Sequence, residues 1–433
     1  MKIACIGEDI PFLLPTLLAD LLFACKEPAE LALTEPKPEL RDLLARYGRA
    51  VVLRSGLNAR VHVSEQLTDA LNGADAVIYA GDCMPASRFQ MDRDALSGVE
   101  EDDPGLLEQA RVNGGLAGLM HTLRQGDRVQ ALCDAMDAAC PNALVIHLAQ
   151  PTARVTAMFE NRGYTTYGLG RSPMRAANGA DALAKRLGRK PEQVRIETAG
   201  LPGFAFVYSI HDTATGEDLL PKLVEQAEDG ALGRLTRRWL DWWGAVPVGD
   251  VTDHAEFLPA QEDYLPEEQP TFGETVEQRK RRILCMNTVA EHGASSREGA
   301  MAQVELLSKA PPVRPVQLAL ALLRKESLTI PAVTRVNGGE LPRLARAAVV
   351  ETPLTLDCGT VMPHGWQLPE ALEETMAEID ETNRLVALAA AGDRAALREC
   401  VETDPALAGM DRLYALDVVE RLIDLHRDVL RLW

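Results

Sequence analysis

The first 170 residues alternate short apolar runs with amphipathic stretches, and this alternation constrains the chain more than any other feature. The runs "KIACIG", "ELALTE", "RVHVSE", "DAVIYAG", "NALVIHLA" and "TTYGLG" read as strands. The segments between them, such as "LMHTLRQGDRVQALCDAMDAAC", carry helical periodicity. Strand and helix in repeated order close as a parallel sheet with helices on both faces, so an α/β fold with a Rossmann-like doubly wound parallel sheet is expected. Ligands of such a sheet sit at the carboxyl ends of its strands.

The later chain is less regular. "EQVRIETAGLPGFAFVYSIHD" predicts a strand pair, "QRKRRILCMNTVAEHG" and "REGAMAQVELLSKA" predict helices, "ARAAVVETPLTLDCG" predicts strand, and a helical tail runs from about Leu368 to Trp433. A chain of 433 residues is long enough for two cores. The expected division is a dinucleotide-binding-type domain over 1–170 and a mixed α/β C-terminal domain over 171–433, closely packed because no low-complexity linker separates them.

The opening stretch "MKIACIGEDIPFLLPTLLADLL" turns from strand to helix at Gly7, with Glu8 and Asp9 where further glycines would let a backbone approach a pyrophosphate. A helix start favours an anionic contact by about 0.3–1 kcal/mol. A carboxylate about 5 Å from a phosphate opposes it by roughly 1–3 kcal/mol for ε between about 80 and 20. Gly7 is the candidate pyrophosphate contact and Glu35, ending "ELALTE", the candidate ribose contact, although a strand-end carboxylate fits Glu35 equally well. NAD is disfavoured in the usual pose.

The net charge of −19, from 45 basic and 64 acidic residues, argues against a nucleic-acid partner. No apolar run approaches the roughly 20 residues of a membrane span, and the start reads as a strand rather than a signal peptide, so no membrane partner and a cytoplasmic location are expected. The eight cysteines form no C-x-x-C pair and read as reduced, mostly buried thiols. The acid run Glu100 to Asp103 reads as solvated loop. His121 reads as packing, His147 as a strand-end histidine in the core or at a ligand, and Trp239, Trp242 and Trp243 as core or contact residues. No zinc spacing, nucleophile elbow or P-loop is present.

The order of several stretches resembles glycoside hydrolase family four, the NAD- and divalent-metal-dependent glycosidases, which share the fold of lactate and malate dehydrogenases. The stretches are "GADAVIYAG", "GLAGLMHTLR", "CPNALVIHLAQPTARVTAMF", "YGLGRSP", "VRIETAGLPGFAFVYSIHDTATGEDLLPKL", "DHAEFLPAQ", "REGAMAQVELL" and "AVVETPLTLDCGTVMP". The resemblance implies a homodimer or homotetramer and a small-molecule carbohydrate as ligand. It also implies oxidation of the sugar at C3 by NAD, proton removal at C2 by a tyrosine and elimination of the glycosidic bond, a family-specific exception to the two-carboxylate scheme.

This chain departs from that pattern at the chemistry. Gly170 and Gly203 stand where the resemblance places a metal-binding cysteine and histidine, so manganese or another divalent metal is not expected at the usual site. Met301 or Ala302 stands at the tyrosine position. The arginine expected after the fourth strand is replaced near Asp82, with Arg88 a few residues on. Substrate contacts are expected from Gln150, Arg171, Arg297, His254 and Glu256. Arg171 either stands in for the cation's charge or pairs with an acid. Three readings follow: a divergent glycosidase acting on a carbohydrate or sugar acid with altered or absent NAD and metal chemistry; a non-catalytic relative binding a sugar or a paralogous partner; or an oxidoreductase or lyase on the same fold.

Overall fold

The structure is a computed structural model and describes residues 1–24, 28–81, 86–97, 104–170, 179–249, 251–259, 275–307 and 314–433. Its strands are β1 (Lys2–Ile6), β2 (Ala29–Thr34), β3 (Ala59–Ser64), β4 (Ala76–Tyr79), β5 (Leu144–His147), β6 (Thr166–Gly168), β7 (Val194–Leu201), β8 (Phe204–Asp212), β9 (Pro247–Val248), β10 (Leu328–Val336), β11 (Val349–Asp357) and β12 (Thr360–Val361). The first helices are α1 (Ile10–Ala24), α2 (Pro38–Ser55), α3 (Leu67–Leu71), α4 (Ala86–Ser97), α5 (Gly115–Ala139) and α6 (Thr152–Asn161). They are followed by α7 (Ala180–Arg186), α8 (Leu220–Glu228), α9 (Arg234–Trp243), α10 (Val251–Ala255), α11 (Val276–His292), α12 (Arg297–Leu307) and α13 (Pro315–Arg324). The tail forms α14 (Glu370–Ala390), α15 (Arg394–Thr403) and α16 (Arg412–Leu425).

All six strands expected in the first 170 residues are present and pair in parallel in the order β3-β2-β1-β4-β5-β6. The sheet then continues through β10, β11, β7, β8 and β9 with antiparallel pairing, so one twelve-stranded sheet crosses both halves of the described chain. Side chains alternate between faces along each strand. Ala4 and Ile6 of β1 enter the core under α5 and α6, whereas Ile3 and Cys5 enter the core under α1, α2 and α13. The C-terminal tail returns to the first half: α14 packs on α5 and α6, contributing Val386, Ala389 and Ala390 to their core.

A buried charged cluster fastens this tail. Arg124 makes a bidentate pair with Asp92 at 3.2 and 2.8 Å, and His426 Nε2 lies 2.6 Å from the same carboxylate. Arg88 reaches Asp428 near the C-terminus, which gives it a role in closing the tail. Trp239 and Trp243 lie in the core with Phe204 and Phe206, while Trp242 is half exposed. His121 is buried against the Val112 carbonyl at 3.2 Å. Cys5, Cys133, Cys140 and Cys400 are buried free thiols, Cys285 is half-buried and Cys358 exposed; Cys25 and Cys83 lie outside the described residues, as do Asp82 and the acid run Glu100 to Asp103. Among the described residues no helix is long and apolar enough to cross a membrane.

Candidate functional site

Strand register sets out the site. Reading across the sheet, Ile6 pairs with Tyr79, Tyr79 with His147 and His147 with Gly168. Gly168 pairs with Thr334, Thr334 with Glu351 and Glu351 with Gly200. This row crosses the carboxyl ends of β4, β5 and β6 and places three polar residues, His147, Thr334 and Glu351, in a buried line. Gly168 leaves the room that this needs: a Cβ there would stand 2.7 Å from Thr152 Cγ2 and 2.9 Å from His147 Nε2.

Around Glu351 are two cavities. The first, about 40 Å³, lies between the start of α6, the β7–β8 turn and α14, and its lining includes Gln150, Thr152, Gly203, Asp253, Asn383 and Glu351. The second, about 280 Å³, is lined by Gly170, Arg314, Gln317, Pro331 and Glu351 among others. The α6 helix begins directly after the cis Gln150-Pro151 bond, and no side chain caps its N-terminus, so its positive end faces the first cavity. Asn383 is fixed by Arg154, whose Nε donates to Asn383 Oδ1 at 2.8 Å and whose Nη1 donates to Thr122 Oγ1 at 3.2 Å.

Glu351 is 5% exposed, and burial pushes its carboxyl up to about 8. Among the described residues the neighbouring Thr334 hydroxyl is the one group that draws it back. A carboxyl so placed is neutral at pH 7 and able to donate a proton. By contrast His147 is spent on packing: Nε2 meets Thr156 Oγ1 at 2.8 Å, and burial drives its pKa down to about 3.

The sequence-derived candidates separate in space. Gln150 and Gly203 line the cavity. His254 is 1% exposed and its Nε2 meets the Ala205 carbonyl at 2.8 Å, inside the aromatic core beside Phe204 and Phe206. The Glu256 carboxylate accepts the backbone N–H groups of Val112 and Asn113 at 3.3 and 2.6 Å, which fixes the approach to α5. Arg111 locks the same junction by donating to the carbonyls of Ala255, Glu256 and Leu258. His254 and Glu256 therefore build the frame of the cavity. Arg297 is exposed at the start of α12, Met301 lies on the exposed side of that helix and Ala302 is buried. Arg171 lies outside the described residues.

Sequence reasoning had no reason to single out Glu351, Asn383 or Asp253. The one available signal was an acid interrupting the apolar run "ARAAVVETPLTL".

The residues at the metal position do not fit a metal. A Cβ at Gly170 would stand 2.4 Å from Thr152 Oγ1 and 3.1 Å from Gln150 Nε2, and a Cβ at Gly203 would meet the Phe257 ring at 3.3 Å. Neither position has a side-chain donor atom. Among the described residues no group of three or more His, Cys, Asp or Glu gathers as metal ligands.

In the β1–α1 turn several backbone donors are engaged within the protein. The Asp9 N–H donates to the Ala80 carbonyl at 3.2 Å, and the Ile10 N–H to Gly7 O at 3.2 Å. Residue 11 is proline and has no N–H, and the N–H groups of Phe12 and Leu13 both turn to Asp9 O at 3.0 Å. Four N–H groups of the kind that cradle a phosphate at a helix start, those of Asp9, Ile10, Phe12 and Leu13, are thus engaged. Glu8 pairs with Arg128, and Asp9 pairs with Arg279 at 3.0 Å, which also lies over the Phe12 ring. Glu35, at the end of β2, is buried and accepts the Lys37 backbone N–H at 2.8 Å.

Residues 2–170 match the model of the family 4 glycosyl hydrolases, which bears out the resemblance read from the sequence. Solved structures share the fold over almost the whole chain. The protein lplD of Bacillus subtilis is 22% identical with a TM-score of 0.71, the match covering 98% of this chain and 99% of that one. A 6-phospho-alpha-glucosidase from gut microorganisms, in complex with NAD and Mn2+, is 16% identical with a TM-score of 0.70 over 99% and 98% of the two chains. The 6-phospho-beta glucosidase of Thermotoga maritima, with manganese, NAD+ and glucose-6-phosphate, is 18% identical with a TM-score of 0.66 over 99% of each. At these identities the likeness is one of fold. No curated protein matches the chain by sequence.

Proposed function

We propose, from the premise that this chain carries the family 4 glycosyl hydrolase pattern over residues 2–170 and the fold of that group throughout, that it is a divergent family-4-like glycosidase whose carbohydrate or sugar-acid ligand enters the cavity beside Gln150. Its chemistry is separated from NAD in the usual pose and from a divalent metal at the usual ligands. The observation that carries this reading is the polar cavity at the carboxyl ends of the parallel strands, where Gln150, Asn383 and the α6 N-terminus supply donors and Asp253 and Glu351 supply carboxyl groups. Amides and carboxyls suit the hydroxyls of a polyol, which both donate and accept. NAD and manganese belong to the solved 6-phospho-glucosidase structures, and the engaged turn and the two glycines weigh against them here.

A non-catalytic relative that only binds a sugar is the second reading, favoured by loss of both metal ligands and of the tyrosine together. One set of calorimetric titrations, after stripping any co-purified nucleotide, tests the proposal: NAD with and without manganese, then a panel of glucosides, galactosides and uronides. The expected result is saturable binding of a glycoside and none of NAD at millimolar concentration. Micromolar NAD binding, about −8 kcal/mol, overturns it and returns the redox mechanism.

A further inference from the structure

We propose that the cleft where β7 and β11 part is a second ligand site of this chain and takes an uncharged sugar, a ring or two of an unphosphorylated saccharide. The inference goes beyond the reading of the Gln150 cavity and does not depend on it, since no residue lining the cleft lines that cavity.

The cleft follows from the strands themselves. β7 and β11 are joined through Gly200 and Glu351, and the same register carried on would set Ile196 against Thr355. Pro353 interrupts β11 with no N–H for the ladder, and Pro331 of β10 lies inside the register shift between Ile330 and Val333. β7 has its own shift between Glu197 and Thr198. Such bulges bend a strand and end its pairing. A cavity of about 520 Å³ lies between the parted ends, within the roughly 300–1,000 Å³ of small-molecule sites.

Its walls carry the chemistry. Ile196, Pro331, Pro353 and Met362 give apolar faces, and Thr329 and Thr355 bring hydroxyls. Trp366 also lines the cavity and is 2% exposed, yet its indole Nε1–H has no hydrogen-bond partner. A buried donor without an acceptor is the exception in a folded protein, and this one belongs to the wall of a cavity large enough to admit a ligand's oxygen. Arg195 and Glu197, on the same wall, pair with each other at 2.6 Å, and Glu197 also accepts from the Ser209 hydroxyl at 3.2 Å. A phosphate or carboxylate therefore finds no unpaired arginine or lysine among the described lining residues. These walls match a ligand with an apolar face, a rim of hydroxyls and no net charge, which is the description of a sugar ring.

The chain has five tryptophans, so the test reads the indole N–H resonances of the full-length 15N-labelled protein while maltose or cellobiose is titrated in. Trp366→Phe identifies the Trp366 signal as the one it removes. If that variant does not fold, the signal is the one displaced by His364→Ala, since the exposed His364 ring packs on the indole with 4.4 Å between centroids. The expected result is a saturable shift of the Trp366 signal that persists in Gln150→Ala. Thr355→Phe, at an exposed strand position that accepts an aromatic side chain, fills the cavity and should weaken the response more than tenfold without loss of fold. Maltose 6′-phosphate should bind more weakly than maltose.

No shift with either disaccharide, or a shift that Thr355→Phe leaves unchanged, overturns the site. A shift that vanishes in Gln150→Ala overturns it too and assigns the response to the Gln150 cavity. A shift that follows protein concentration instead of saccharide makes the cleft a contact between copies of the chain and overturns the sugar. Tighter binding of the phosphorylated sugar overturns the uncharged class. Calorimetric binding of a glycoside that Gln150→Ala abolishes, with the Trp366 signal unmoved, leaves the proposed function standing and this inference overturned.

Discussion

Two places in this sheet hold acids where a ligand is expected, and they treat them in opposite ways. At the β1–α1 turn Glu8 and Asp9 are partly exposed and each meets an arginine, Arg128 and Arg279. At the row through β10 and β11, Glu351 is buried, meets no cation among the described residues and faces cavities. The first arrangement neutralises charge and closes a seat. The second keeps a proton on a carboxyl and leaves space beside it. What distinguishes the two sets of acids is therefore the partner and the cavity, not the residue type.

The comparison is tested most severely by the pH dependence of stability. The Glu351 carboxyl rises from an ordinary 4.5 to about 8 in the folded protein, so between these values the native state holds a proton that the unfolded chain releases. Its contribution is fully present below about pH 4.5 and is lost as pH rises toward 8. Denaturant titrations of wild type against Glu351→Gln should show a difference that changes by up to about 1.4 kcal/mol per pH unit across that window. A constant difference would mean the carboxyl is paired after all.

Next in size is Gly7→Ala. Gly7 has φ +128°, and a Cβ there would stand 2.1 Å from the Ala80 carbonyl oxygen. Strain and overpacking together should cost about 2–4 kcal/mol in chemical denaturation. A neutral outcome would show that the turn has room to open, and the case for its closure would fall.

The smallest effect should come from the acids of the turn. Glu8→Ala and Asp9→Ala each remove a partly exposed pair and should cost about 0–1 kcal/mol. NAD titrated into the double variant should still fail to bind below millimolar concentration, since the N–H groups of Asp9, Ile10, Phe12 and Leu13 remain engaged. Micromolar binding would assign the closure to charge alone.

Much of the fold was legible in the sequence. The six opening strands follow from short apolar runs, and "EQVRIETAGLPGFAFVYSIHD" folds as the expected β7–β8 pair about its Pro202-Gly203 turn. Less of the site was. Gln150, singled out through the family resemblance, lines the cavity. His254 and Glu256 carry the right chemistry for substrate contacts, yet their polar atoms are used by backbone groups of Ala205, Val112 and Asn113. Spacing cannot show which hydrogen bonds a side chain has already made.

The sequence by itself determined the order of strands and helices, the single glycine of the opening turn and the absence of donor atoms at Gly170 and Gly203, because each is a property of local pattern or residue type. Tertiary structure decided which acids are paired and which stand alone. Glu8 finds Arg128 across 120 positions and Asp9 finds Arg279 across 270. Glu351 owes its neutral carboxyl to β10 and β7 closing on either side of β11. Solvation and pairing depend on what lies nearby in space, and neighbours that far apart along the chain are chosen only when the sheet is assembled.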